Sequence, residues 1–248
     1  MKTRLAVVGL LFVFITVTGL FAQFEEAENL ILEMENQEVF DSAFVRGRMV
    51  INDRFGEKIS TFDSWSLGSD YSLIEFTSVE ELGQKILRSE DDLYIYYPDA
   101  EEEIRLSGSA LRDGILGSDV SYEDMTGGKS LLDDYKVVDF RSEVLAGDDT
   151  WVIELEARRS SVAYPRQIIW IEKETGNGVQ SEMYSLSDRL LKVERVLEFD
   201  EVDDYVFPVH ILVQDMLKRN SSTEFIIEDI DVDIDIDLDF FSRENLTW

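Results

Sequence analysis

The sequence predicts a mainly β protein whose antiparallel strands are joined by hairpins and curved into a barrel or sheet, preceded by one amphipathic helix. Three observations carry this. Apolar residues recur at every second position over most of the chain, turn-forming residues punctuate those runs, and helical spacing is clear only in the segment that begins at Phe24. Side chains two apart in an extended strand share a face, whereas those three and four apart share the face of a helix.

The helix comes first. From Phe24 to Val39, Phe24, Ala27, Leu30, Ile31 and Met34 recur at three and four with acids between them. Period two then takes over. "VRGRMVI" sets Val45, Gly47, Met49 and Ile51 against Arg46, Arg48 and Val50; "WVIELEAR" sets Trp151, Ile153, Leu155 and Ala157 against Val152, Glu154, Glu156 and Arg158. In "KVERVLEF", Val193, Leu197 and Phe199 stand against Glu194 and Glu198. In "QIIWI", Gln167–Ile171, both sides are apolar and either parity can face inward. The turn signals "NDRFGEK", "SLGSD", "YPDAEEE", "AGDD", "ETGNG", "SLSD" and "KRNSS" fall between such runs. Ser107–Leu132 is less regular, contains glycine turns, and suits a short helical cover.

Near the end, "DIDVDIDIDLDF" places aspartate at every second position from Asp229 to Asp239. It reads as a strand with a wet acidic side and an apolar side of Ile230, Val232, Ile234, Ile236, Leu238 and Phe240. Carboxylates on one strand face stand about 6.6–6.8 Å apart, whereas calcium needs roughly six to eight oxygens converging at about 2.3–2.6 Å. A tight cation site is therefore not expected, and no metal ligands are assigned.

Composition narrows the function. With 53 acidic against 23 basic residues, the formal charge of −30 argues against nucleic acid and against anionic membrane surfaces, both of which attract basic patches. Hydrophobic residues make up 44% of the chain, enough for a substantial core. Lys2 and Arg4 precede an uncharged apolar run from Leu5 to Phe21, followed by Ala22, the layout of a secretory signal peptide over 1–22. An uncleaved membrane anchor is the alternative for the same run. Residues 23–248 are expected to form a single domain, exported to the periplasm as a soluble monomer. No cysteine is present, so neither disulfides nor an acylated cysteine enters the reading.

Catalytic motifs are missing. "TGGKS", Thr126–Ser130, ends like a phosphate-binding loop, but Glu123 stands where that pattern requires glycine. His210 is the only histidine, which removes HExxH sites, and no GxSxG elbow exists to place a serine nucleophile. Paired carboxylates cannot be singled out among so many acids. The expectation is a protein that is not an enzyme and has no cofactor.

One interval is more specific than its composition. In "YSLIEFTSVEELGQKILRSEDDLYIYYPDAEEEIRLSGSALRDGILGSDVSYEDM", Tyr71–Met125, the residues Phe76, Gly83, Leu87, Tyr94–Tyr97 with Pro98, Arg105, Gly108 and Gly117–Met125 resemble the signature of the LolA-like outer-membrane lipoprotein-sorting protein family. "GSDVSYEDM" is its most specific part, with Val120 and Met125 where the family usually has Phe and Leu. The similarity continues through "IIWIEKETGNGVQSEMYSLSDRLLKVERVLEFDEV" and "FPVHILVQDM" to "FFSRENL". The resemblance implies a curved antiparallel sheet forming an incomplete, unclosed barrel, with helices as a lid over a hydrophobic cavity. It also implies a periplasmic carrier for lipoprotein acyl chains or other lipids, often associated with an inner-membrane RND-type transporter and touching the membrane only transiently. The aspartate-rich end departs from the family.

On that basis the inward residues expected to line a lipid cavity are Val45, Met49, Ile51, Trp65, Ile74, Phe76, Leu93, Ile95, Trp151, Ile153, Leu155, Val193, Leu197 and Phe199. Alternation alone fits a closed core equally well. The lid is expected over Leu111–Met125, including Tyr122, with Gly114 and Gly117 as pivots. A different class of function stays open: an envelope sensor or scaffold that binds a basic protein through its acidic sheet face.

Overall fold

The computed structural model describes residues 23–37, 40–90, 92–125, 130–202 and 205–247. The signal-peptide assignment over 1–22 lies outside these residues, as do Val39 and most of "TGGKS". Helix α1 occupies 23–37. Thirteen strands follow: β1 (Ser42–Asp53), β2 (Gly56–Leu67), β3 (Tyr71–Phe76), β4 (Lys85–Ser89), β5 (Asp92–Tyr97), β6 (Glu102–Leu106), β7 (Tyr135–Leu145), β8 (Asp148–Ala157), β9 (Arg166–Glu172), β10 (Gly178–Tyr184), β11 (Leu190–Val202), β12 (Tyr205–Asp215) and β13 (Ser222–Val232). Two short helices, α2 (Tyr122–Met125) and α3 (Leu131–Asp134), lie between β6 and β7.

All strands belong to one antiparallel sheet, ordered β6-β5-β4-β3-β2-β1-β13-β12-β11-β10-β9-β8-β7 and not closed on itself. Two meanders, β1–β6 and β7–β13, are joined where the first strand pairs with the last, from Ala43↔Val232 to Asn52↔Ser222. Connections of a few residues between neighbours explain the hairpins, because only antiparallel strands can be joined so tightly.

Both halves of the inner face are covered. Over β1–β5 the apolar parity of the strands brings Met49, Ile51, Phe62, Ile74, Phe76, Ile86, Leu93 and Ile95 together, and the segment after β6 lays Ile115 and Tyr122 on them. Over β7–β9, Ala27 and Ile31 of α1 sit on Tyr135, Val137, Phe140, Ile153, Leu155, Ile169 and Ile171. Each large apolar side chain buried in this way contributes about 1.5–3 kcal/mol.

On the outer face, the chain beyond β13 folds back over β2–β5, burying Phe241 and Leu246 on Leu73 and Leu87. This corrects the reading of the aspartate run as one strand to Phe240. The strand stops at Val232, and residues 234–237 are irregular before a 3-10 turn at Leu238–Phe241. The strand ends with its partner: β1 begins at Ser42, and the paired register closes at Ala43↔Val232. Asp233 takes a left-handed φ of 53° and its N–H donates to the Ser42 carbonyl (2.7 Å). The alternation still holds in part. Asp229, Asp231, Asp233, Asp235, Asp237 and Asp239 are all exposed while Ile230, Val232, Ile234 and Ile236 are half-buried, but Leu238 is 52% exposed.

Candidate functional site: a cavity beneath a pinned cover

The cover runs from Gly108 to Met125, through two 3-10 turns into α2. It is held together by its own backbone: the Ile115 N–H donates to the Val120 carbonyl (2.8 Å) and the Ser118 N–H to that of Ile115 (2.8 Å). The two glycines expected as pivots have different roles. Gly117 has φ +83°, which a side chain would strain, whereas Gly114 has an ordinary φ and is small for another reason. A Cβ there would collide with the Ser118 carbonyl oxygen. Helix α2 starts with a capping box: the Asp124 N–H donates to Ser121 Oγ (3.2 Å) and the Ser121 N–H to Asp124 Oδ2 (2.9 Å).

Two ion pairs fasten the cover to the sheet. Asp119 is fully buried, and its Oδ1 accepts from Lys218 Nζ (2.9 Å) and Ser221 Oγ (2.6 Å) on the β12–β13 hairpin. Lys218 Nζ also donates to the Ser118 carbonyl (2.8 Å), and the Asp119 N–H donates to Thr223 Oγ1 (2.9 Å). The second pair is Asp124 with Lys192 of β11, joined by the Tyr164 hydroxyl, which donates to Asp124 Oδ1 (3.4 Å). Burial works against the Lys192 ammonium, but the Asp124 charge outweighs it and raises the pKa above the ordinary lysine value. Burial, then the same carboxylate, pushes the Tyr164 phenol up to about 12. Burial likewise raises Tyr135, whose hydroxyl donates to the Tyr164 carbonyl (2.9 Å) and accepts from Gln167 Nε2 (2.6 Å). The signature "GSDVSYEDM" therefore supplies both acids that dock the cover.

Unfilled space lies beside the cover. A cavity of about 390 Å³ lies over β9–β12, bounded by Met34 of α1, Leu131 of α3 and the 162–164 loop, with Ile169, Ser181, Met183, Val196 and Ile211 on its floor. A second, of about 370 Å³, is more polar, with Arg112, Asp119, Lys192, Asp215 and Lys218 on its walls. Ala163 and Tyr164 line both. Each volume falls within the range of about 300–1,000 Å³ usual for small-molecule sites.

The residues expected to line a cavity lie elsewhere. Val45, Met49, Ile51, Ile74, Phe76, Leu93 and Ile95 do face inward together, but they pack beneath Ile115, Leu111, Leu116 and Tyr122 of the cover. Trp151, Ile153 and Leu155 lie beneath α1. Trp65 points to the outer face, where Phe240 of the tail covers it with ring centroids 5.5 Å apart. Val193 has the parity opposite to Lys192 and Glu194, which line the cavities, and Leu197 is 50% exposed beside a bulge in the β11–β12 ladder. Phe199, beyond that bulge, pairs with Pro208 and is half-buried. None of these residues lines either cavity. Of the lid residues, Leu111, Gly114, Gly117 and Tyr122 lie in the cover and Gly114 also lines the second cavity, while the Met125 side chain lies outside what is described.

An unclosed antiparallel sheet with a covered inner face defines the LolA-like class. A family model described as that of an uncharacterized protein matches residues 68–248, so the chain belongs to that family, and its fold is LolA-like. Among solved structures, a DUF1329 family protein from Desulfovibrio piger has a TM-score of 0.83 at 22% identity, over 90% of this chain and 99% of that one. A candidate outer membrane lipoprotein-sorting protein domain from Vibrio parahaemolyticus has a TM-score of 0.82 at 19% identity, over 89% and 98%. A LolA superfamily protein from Nitrosomonas europaea has a TM-score of 0.74 at 25% identity, over 88% and 98%. Among curated proteins, none matches this chain.

Proposed function

We propose that the chain is a non-catalytic periplasmic carrier that shelters the acyl chain of a lipoprotein or another lipid. It would act in outer-membrane lipoprotein or lipid trafficking, together with an RND-type transporter of the inner membrane. The observation that carries this reading is the 390 Å³ cavity beside a cover held by two ion pairs rather than by a covalent link. Enclosing a hydrocarbon tail gains about 0.8 kcal/mol per CH2, and an ion-paired cover can release to admit it. The similarity to a lipoprotein-sorting domain supports the same reading.

The test is binding of a fluorescent fatty acyl probe to delipidated protein. One saturable site is expected, and absence of saturable binding would refute the carrier. A second reading is favoured by the exposed aspartates of 229–239: a scaffold that selects a basic envelope protein. Salt-sensitive association with such a protein, without probe binding, would support the scaffold instead.

A further inference from the structure

From the geometry of the hairpins we infer that one end of the sheet is a docking rim for an anionic lipid surface. The antiparallel register puts the β1–β2, β12–β13, β10–β11 and β8–β9 connections side by side at the same end, with successive hairpins about 10 Å apart. Three of these tips each raise a large apolar side chain into solvent: Phe55 is 81% exposed, Leu186 91% and Leu217 51%. Beside each stands an arginine, Arg54, Arg189 and Arg219 respectively.

These arginines are unlike the other described cations. Their side chains make neither an ion pair nor a hydrogen bond among the described residues; Arg54 only stacks on Phe55, 4.5 Å from the ring centroid. In a chain with 53 acids, arginines whose side chains bond neither a carboxylate nor any other polar group need a reason, and each of these flanks an exposed apolar tip. Arg158 on the β8–β9 connection, bonded only to the Leu132 and Tyr135 carbonyls, adds a further positive charge, whereas Arg159 is paired with Asp134. The nearby acids are largely engaged. Asp53 accepts from the Phe55 and Gly56 N–H groups, and Asp215 accepts from the Leu217 N–H and lies near Lys218. Asp188 stands 3.7 Å from Arg166.

The opposite end has the other character. Its turns contain Asp70, Glu90 and Glu174, β8 starts there with Asp148 and Asp149, and the aspartate run passes through it. Apolar tips among unpaired arginines match a headgroup layer, with the rings and aliphatic groups entering the interface and the guanidinium groups meeting phosphates. The acids Glu80, Asp99 and Glu101 share this end with the arginine tips, but on the β3–β4 and β5–β6 connections to one side of them, and screening limits their reach and that of the net charge of −30 to about 8–10 Å. The rim runs against the expectation from composition that anionic membranes are excluded. Leu217 and Lys218 belong both to the rim and to the second cavity, so docking sets the cavity mouth against the lipid.

The inference deepens the carrier reading but is tested without cargo. Protein purified from the periplasm is floated with phosphatidylcholine vesicles containing or lacking phosphatidylglycerol, and variants are compared with the unaltered chain. Binding is expected only with phosphatidylglycerol and should fall as salt rises. R54Q, R189Q and R219Q should each lower partitioning about fivefold, equivalent to about 1 kcal/mol per cation near a charged surface. L186S should lower it too. Equal binding to both vesicle types, no binding to either, or an unaltered triple arginine variant would overturn the rim. Acyl probe uptake from solution should be unchanged in the triple variant; its absence in every chain, with vesicle binding intact, would refute the carrier and leave the rim standing.

Discussion

Lys192→Met isolates the contribution of one ion pair to holding the cover. The substitution keeps the aliphatic stem but leaves the Asp124 carboxylate facing a site where it had a cation. Removing one partner of a buried pair costs about 3–5 kcal/mol. The Asp124 side chain is 23% exposed and keeps the Ser121 N–H and the Tyr164 hydroxyl, so the low end, about 3 kcal/mol, applies. At roughly 1.36 kcal/mol per decade, the population with the cover released rises about 150-fold. Amide hydrogen exchange reads this directly. The Ile115 and Ser118 amides, bonded within the cover, should exchange about 150-fold faster, whereas Ile169 in the β9 ladder should keep its protection. Adding Asp124→Asn should restore much of the protection, because the side-chain oxygen still accepts the Ser121 N–H while no unpaired carboxylate remains. Unchanged exchange in the cover would refute the role given to the pair. Equal acceleration at Ile169 would show that the pair supports the whole fold instead.

Two further outcomes follow from the cavity wall. Ser181→Trp places a large ring on the floor of the 390 Å³ space and should weaken acyl probe binding at least about tenfold while leaving the urea midpoint near its original value. Alkaline stability should also respond to Tyr164. Its folded pKa of about 12 lies above the ordinary value of 10.0, so the folded state keeps a proton that the unfolded chain loses. This contribution is therefore fully present below about pH 10 and declines toward pH 12; Tyr164→Phe should make that part of a urea-midpoint profile shallower, the rest of the decline coming from Tyr122, Tyr135 and Tyr184, which burial also raises.

The β architecture was legible because period two survives wherever one face is packed and the ladder is regular. Val45, Met49 and Ile51, or Ile153 and Leu155, share a face for that reason. Parity failed where a second apolar layer or a bulge intervened. Trp65 has the same character as an inward residue, but the tail gives it an apolar partner on the outer side, and only the three-dimensional return of Phe240 reveals this. At Val193 the polar neighbours Lys192 and Glu194 looked like a wet face. They instead line the cavities, because the inner surface over β9–β12 is partly polar. The irregular, glycine-containing interval after β6 does lie over the core as a short helical segment, yet its partners Lys192, Tyr164 and Lys218 lie far along the chain, and no local pattern marks a salt bridge between distant segments. The rim was invisible for the same reason: the tips "RF", "LSDR" and "LKR" are dispersed in sequence and become neighbours only through the strand order.

The strand order also gives the connection between the meanders a mechanical meaning. The sheet has two free margins, β6 and β7, and the polypeptide passes from one to the other through residues 107–134, so the same segment that fills half of the hollow also tethers its margins. How far the sheet can flatten is thus limited by the length of that tether. A nick within it would not split the molecule, since the ladder from Ala43↔Val232 to Asn52↔Ser222 still joins the halves, but it would let the margins part.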